Sequence, residues 1–130
     1  MPQFNFQERF AADVESGRKR QTVRHVRRNT PKVGQTAHLF TGLRTKAARC
    51  LGRHSITDVR PILVDMDGSV SLGETGDPDA YFHGRDLSPS EADAFAEADG
   101  FENAVAFVAW IRDTHGLPFE GHVTSWDPSA

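Results

Sequence analysis

The stretch FAADVESGRKRQTVR, Phe10 to Arg24, changes character halfway along. Phe6, Phe10 and Val14 recur every four residues, with Glu8, Arg9, Asp13 and Glu15 between them. That spacing predicts an amphipathic helix of about three turns. Gly17 stands where a helix C-cap is expected, because glycine enters the left-handed conformation without steric cost. A dense basic run follows: Arg18, Lys19, Arg20, Arg24, His25, Arg27 and Arg28. Asn29-Thr30-Pro31 closes it as a loop.

Working outward toward the C-terminus, strand signals dominate first. Thr36 to Thr41 reads as a strand ended by Gly42, and Lys46 to Leu51 as a second strand pairing back on it. Gly52-Arg53-His54 reads as a turn. Ile56 to Val64 reads as a strand in which Pro61 favours an edge or a bulge, since proline cannot donate to a ladder. Asp67-Gly68 is a hairpin turn leading into Ser69 to Leu72. Residues 73–86, rich in Gly, Pro and Asp, read as a loop. Ser88 with Pro89 and Glu91 has the form of a helix N-cap, first-turn proline and capping-box partner. That helix runs to about Asp99-Gly100. A second helix is expected to carry Phe101, Val105, Val108 and Ile111 on one face, with Phe107 and Trp110 beside them, and to end near His115-Gly116. Phe119 to Trp126 alternates as a closing strand.

The chain of 130 residues suits one domain spanning 1–130. No run approaches the roughly 18 apolar residues of a membrane helix. MPQFNFQERF lacks the charged-then-apolar pattern of a secretory signal. Cys50 is the single cysteine and by itself forms neither an internal disulfide nor a zinc site. A cytoplasmic location is the expectation.

The net charge of -3 conceals an asymmetry. Residues 1–62 hold thirteen Lys/Arg against four acids, and residues 63–130 hold two against fourteen. Either a polyanion binds one face, or the two halves neutralise each other across the fold. For a polyanion, Arg18 to Arg28 would supply phosphate contacts, and Arg44, Lys46, Arg49 and Arg53 a second set. Tyr81, Phe82 and Trp126 are the candidate stacking platforms, although Trp126 also suits packing and the Tyr81-Phe82 pair suits a lid or plug. The six histidines show no metal spacing. Asp65, Asp67, Asp77 and Asp79 lack a calcium-loop pattern and read as solvated charges. No metal, no cofactor and no obligate protein partner is expected.

These motifs resemble a known family. FxxDVESGRKRQTVR, PKVGQ (Pro31 to Gln35), FTGLRTKAARCLG (Phe40 to Gly52), ADGFENAVAFVAWI (Ala98 to Ile111) and GHVTSW (Gly121 to Trp126) look like an ASCH domain. The resemblance implies an α+β fold, a PUA-like β-barrel of mostly antiparallel strands with flanking helices. Its implied partner is RNA or a modified nucleoside held in a basic cleft. Phe10 to Arg24 is similar to the small bacterial N4-acetylcytidine amidohydrolases, whose lysine and threonine match Lys19 and Thr22. Their glutamate falls on Asp99, one methylene shorter, with Glu97 as the competing position.

On that resemblance the catalytic candidates are Lys19 as base, Thr22 as nucleophile or water-positioning group, and Asp99 as relay. Arg18, Arg24 and Arg44 are the substrate-binding candidates. Three function classes follow: a binding module for RNA or a modified nucleoside, a hydrolase cleaving N4-acetylcytidine to cytidine, and a metal-independent ribonuclease. Residues three apart on a strand point to opposite faces. Lys19 and Thr22 therefore converge only if the chain bends between them, and a cap at Gly17 followed by a bulge is the expected source of the bend.

Overall fold

The computed structural model describes residues 2–25, 30–73 and 85–128. It is an α+β structure with a seven-stranded mixed sheet and three helices among the described residues.

The chain opens with a strand, β1 (Gln3–Phe6), ahead of the helix α1 (Glu8–Glu15). Phe6 therefore belongs to the strand, not to the helix that its four-residue spacing from Phe10 suggested. Phe4 and Phe6 alternate with exposed Gln3 and Asn5, and both are buried. A side chain of that size contributes about 1.5–3 kcal/mol when fully buried, enough to override the helical spacing locally. After α1, Ser16 caps the helix and Gly17 takes φ 83°. The amide of Gly17 donates to Val14 O, and that of Lys19 donates to Asp13 O at 2.9 Å. The chain reverses there, as the glycine predicted, and enters β2 (Gln21–His25).

β3 (Thr36–Thr41) pairs in parallel with β1 and antiparallel with β4 (Arg49–Val64). The sixteen residues of β4 join what the sequence suggested were two strands separated by a turn. Gly52 lies opposite Leu39, and the register slips between Leu39 and Phe40. The glycine marks a bulge, not a turn, and the ladder to β3 carries the strand through it. Pro61 is a second correction. It lies within β4, opposite His122, and its carbonyl accepts from Gly73 N. It is tolerated there because β5 (Val70–Leu72) pairs only as far as Ile62, so Pro61 sits at the end of that ladder.

The Asp67-Gly68 turn forms as expected. Asp67 Oδ1 accepts from the amide and the hydroxyl of Ser69, and Gly68 takes φ 86°. β6 (Arg85–Asp86) adds to β5. Ser88 and Glu91 form the reciprocal capping box at the start of α2 (Pro89–Ala98). α3 (Ala104–His115) buries Phe107 and Ile111, while Val105 is 79 % exposed. The buried face is thus rotated from the expected Val105-Val108-Ile111 stripe. Phe101 lies in the turn before the helix, so counting from it misaligned the face. The final strand, β7 (Phe119–Trp126), has the expected bounds and pairs with both β2 and β4.

All strand pairs but β1–β3 are antiparallel. The ladder is not closed into a barrel: among the described residues β1 pairs with β3 and β2 with β7, and no ladder joins β1 to β2. A hydrogen bond from Arg24 Nη2 to Asn5 O, 2.8 Å, crosses that gap. Among the described residues no helix is long and apolar enough to cross a membrane.

Candidate functional site

The gap between β1 and β2 is the back of a concave pocket of about 240 Å³. Three pieces of local structure aim polar groups into it. The reversal at Gly17 sends Lys19 inward before β2 begins. Alternation along β2 then puts Thr22 and Arg24 on one face. The turn after α2 supplies Asp99, the helix C-cap, followed by Gly100 at φ 95°. A Cβ at Gly100 would lie 3.0 Å from the Phe10 ring, so only glycine lets this turn approach α1 so closely.

Lys19 and Asp99 are each 4 % exposed. Lys19 Nζ donates to the Asp99 carbonyl at 2.5 Å and lies 3.3 Å from its carboxylate Oδ1. Gln21 Nε2 reaches the same Oδ1 at 3.4 Å. Burial pushes the Lys19 amine below its ordinary value, and the nearby Arg24 cation adds to that, against the opposing pull of Asp99. Burial likewise pushes the Asp99 carboxyl up, against Lys19 and Gln21. Both shifts favour the neutral forms, an amine and a carboxylic acid, because charge is costly in a desolvated site.

Thr22 is buried, and its Oγ1 accepts from Arg24 Nε at 3.0 Å. That leaves the Thr22 hydroxyl proton available to a bound group. The Arg24 guanidinium also lies over the Phe4 and Phe6 rings, 5.6 and 5.1 Å from their centroids. It is a fixture of the wall, not a mobile surface charge.

The opposite wall is aromatic. Phe10 contacts Phe101 at 5.5 Å between centroids, Phe101 contacts Trp110 at 5.7 Å, and Trp110 contacts His115 at 5.9 Å. His115 in turn lies 6.2 Å from His25. The arc is continuous and lines the pocket.

Of the residues expected from the sequence, Lys19, Thr22, Arg24 and Asp99 line this pocket together. Asp99 faces Lys19, while Glu97 is exposed on α2. Arg18 is a correction: it is exposed outside the lining and pairs with Asp13 at 2.9 Å. Arg44 is another. It is exposed in the loop after β3, with φ 67°, and does not line the pocket. Its loop is tied to the rim through Leu43 N, which donates to Asn5 Oδ1 at 3.0 Å. Trp126 is 2 % exposed and packs edge-on against Phe6, so it is a core residue and no stacking platform. Tyr81, Phe82, Asp77, Asp79, Arg27 and Arg28 lie outside the described residues.

Sequence reasoning missed Trp110, His115, His25 and Asn5 as pocket residues. The available signal was Trp110, Thr114 and His115 at spacings of four and five, off the buried face of α3. No family model, no curated protein and no solved structure matches this chain.

Proposed function

We propose that this chain is an ASCH-type, PUA-like domain whose pocket binds a single modified nucleoside. The observation that carries the reading is the two-sided pocket. A continuous aromatic wall suits the faces of a heterocycle, and the Lys19, Thr22, Arg24 and Asp99 wall suits its polar edge. Its volume of about 240 Å³ fits one base better than a run of them. Two of the charges expected to hold an RNA chain are paired, Arg18 with Asp13 and Arg49 with Glu15, and Arg24 lines the pocket. Calorimetric titration with N4-acetylcytidine and cytidine tests this. Saturable 1:1 binding, weakened by Trp110→Ala, is the expected result. Absence of binding by any modified cytidine overturns it.

A second reading, hydrolysis of the N4-acetyl amide, is favoured by one specific feature, the buried Lys19–Asp99 pair in the same pocket as Thr22. Neutral Lys19 takes a proton from water as the water oxygen bonds to the acetyl carbon. The carbonyl electrons move onto oxygen, which the Thr22 hydroxyl stabilises by donating to it. The C–N4 bond then breaks, the Lys19 ammonium returns its proton to N4, and cytidine and acetic acid leave, the acid ionising to acetate as it releases its proton to water. Thr22 suits this positioning role better than that of nucleophile, since the Arg24 guanidinium donates to one of its two lone pairs and draws electron density from the oxygen. The Asp99 carboxyl orients the Lys19 amine. Incubation with N4-acetylcytidine should release cytidine, and Lys19→Ala should abolish the release. No product from the wild-type protein removes this second reading and leaves the first.

A further inference from the structure

At one end of the pocket the walls meet, and neither reading uses the hydrogen-bond donors gathered there. Arg24, His25, Thr114 and His115 converge at its mouth, and the last three are exposed. They come from two elements, β2 and the end of α3. The two imidazoles lie 6.2 Å apart between centroids, with planes inclined by 30°. Near-parallel rings at that distance can present N–H edges toward one common point. Phe119 from β7 packs against both rings, at 5.8 Å from His25 and 5.0 Å from His115. Among the described lining residues the one acid is Asp99, already engaged by Lys19 and Gln21. Among the described lining residues, the mouth thus gathers hydrogen-bond donors, with the pocket's one carboxylate held by Lys19 and Gln21.

We propose that Arg24, His25, Thr114 and His115 form an anion subsite at the mouth of the pocket, and that its ligand is the phosphate of the bound nucleoside. The ligand assignment rests on the nucleoside reading; the anion subsite does not. The site therefore prefers a nucleotide over the free nucleoside. Imidazolium and guanidinium donors to phosphate are charge-assisted and strong, and the threonine hydroxyl adds a neutral donor. Among the described residues, the charged and titratable groups that act on His115 are His25 and Arg24 from β2; the rings of Trp110 and Phe119 beside it are neutral. Desolvation, then His25 and Arg24, hold His115 below the ordinary histidine range, so in the empty site it is mostly neutral at pH 7. A phosphate dianion recharges it. The nucleotide preference accordingly grows as pH falls from about 8 toward 7, where the phosphate remains largely dianionic.

The test has two independent parts. Inorganic phosphate is added to the wild-type protein while the histidine imidazole resonances are followed by NMR. Affinities are then measured for cytidine, its 3′- and 5′-monophosphates, and a cytidine dinucleotide with one internal phosphodiester. Phosphate should shift the His25 and His115 signals selectively. A monophosphate should bind about tenfold tighter than cytidine, the scale of one hydrogen bond to a charged group. That ratio should fall toward one in His25→Gln and in His115→Gln. A gain for the monoester alone identifies a free nucleotide; an equal gain for the dinucleotide identifies an RNA phosphate. Unmoved imidazoles and no nucleotide gain overturn the proposal. An imidazole response to phosphate without any nucleotide gain overturns the ligand assignment. Moved imidazoles with no binding of any cytidine derivative keep the anion subsite and remove the nucleoside reading.

Discussion

At the scale of single residues, the buried Lys19–Asp99 pair is the feature on which both stability and chemistry turn. Removing one partner leaves the other buried without its counter-charge, a loss of about 3–5 kcal/mol for a fully charged partner. Since burial drives both groups toward neutrality, the survivor is able to discharge, which moderates the cost. Lys19→Met and Asp99→Leu should each destabilise by about 3 kcal/mol in urea unfolding, toward the lower end of that range. The double substitution should cost clearly less than the two singles together. Strict additivity would show that the two side chains do not interact. A second expectation concerns rate. The base must be the neutral amine, and the neutral fraction rises with pH, so amide cleavage should climb with pH. The midpoint of that limb should lie below 10.5, the ordinary lysine value, because burial lowers Lys19. A midpoint at or above that value would exclude Lys19 as the base.

At the scale of elements, two helices and one strand hold the site. α2 delivers Asp99, and its start depends on the capping box of Ser88 and Glu91. Ser88→Ala should cost about 1 kcal/mol. Glu91 is held down at about 2 by Arg85 and by the amide and hydroxyl of Ser88, against an ordinary value of 4.5. A depressed carboxyl contributes its stability above the unfolded value and loses it as pH falls through the folded one. Acid should therefore weaken α2 between about pH 4.5 and 2, and Glu91→Gln should flatten that part of a pH–stability curve. β7 is the strand that positions β2. Gly121 sits opposite His25, and a Cβ there would meet the Arg24 carbonyl at 2.2 Å and the Phe119 ring at 2.8 Å. Gly121→Ala should cost about 1–3 kcal/mol by overpacking, and should also weaken ligand binding by displacing Arg24. A variant with wild-type melting and wild-type affinity would contradict that close approach.

At the scale of the whole molecule, charge and topology meet at one place. Among the described residues of the basic half, Arg18 pairs with Asp13 and Arg49 with Glu15, and Lys19 pairs across to the acidic half at Asp99. Raising salt from about 50 to 200 mM should therefore change N4-acetylcytidine affinity less than about twofold, whereas a protein gripping six or more phosphates would lose about a thousandfold or more. Tight binding of a single-stranded oligonucleotide that falls steeply over the same salt range would argue for a polyanion surface instead. Much of this organisation was legible in the residues themselves. Gly17 as a helix stop, the Ser88 capping box, the Asp67-Gly68 turn and the Phe119–Trp126 strand are all local, set by φ preference, capping and alternation within a few residues. Lys19, Thr22, Arg24 and Asp99 were also legible as candidates, through their spacing and the resemblance they carry. The sequence did not determine β1, the continuity of β4 through Gly52, or the rotation of α3, because each depends on a partner strand or helix distant in the chain. Nor did it determine the pocket. Lys19 and Asp99 are 80 residues apart, and Trp110, His115 and His25 become one wall only when α3 packs beside β2 and β7. The residue types determined what chemistry is available; only the tertiary packing decided which of those groups meet, and burial of Lys19 against Asp99 is what favours the neutral amine.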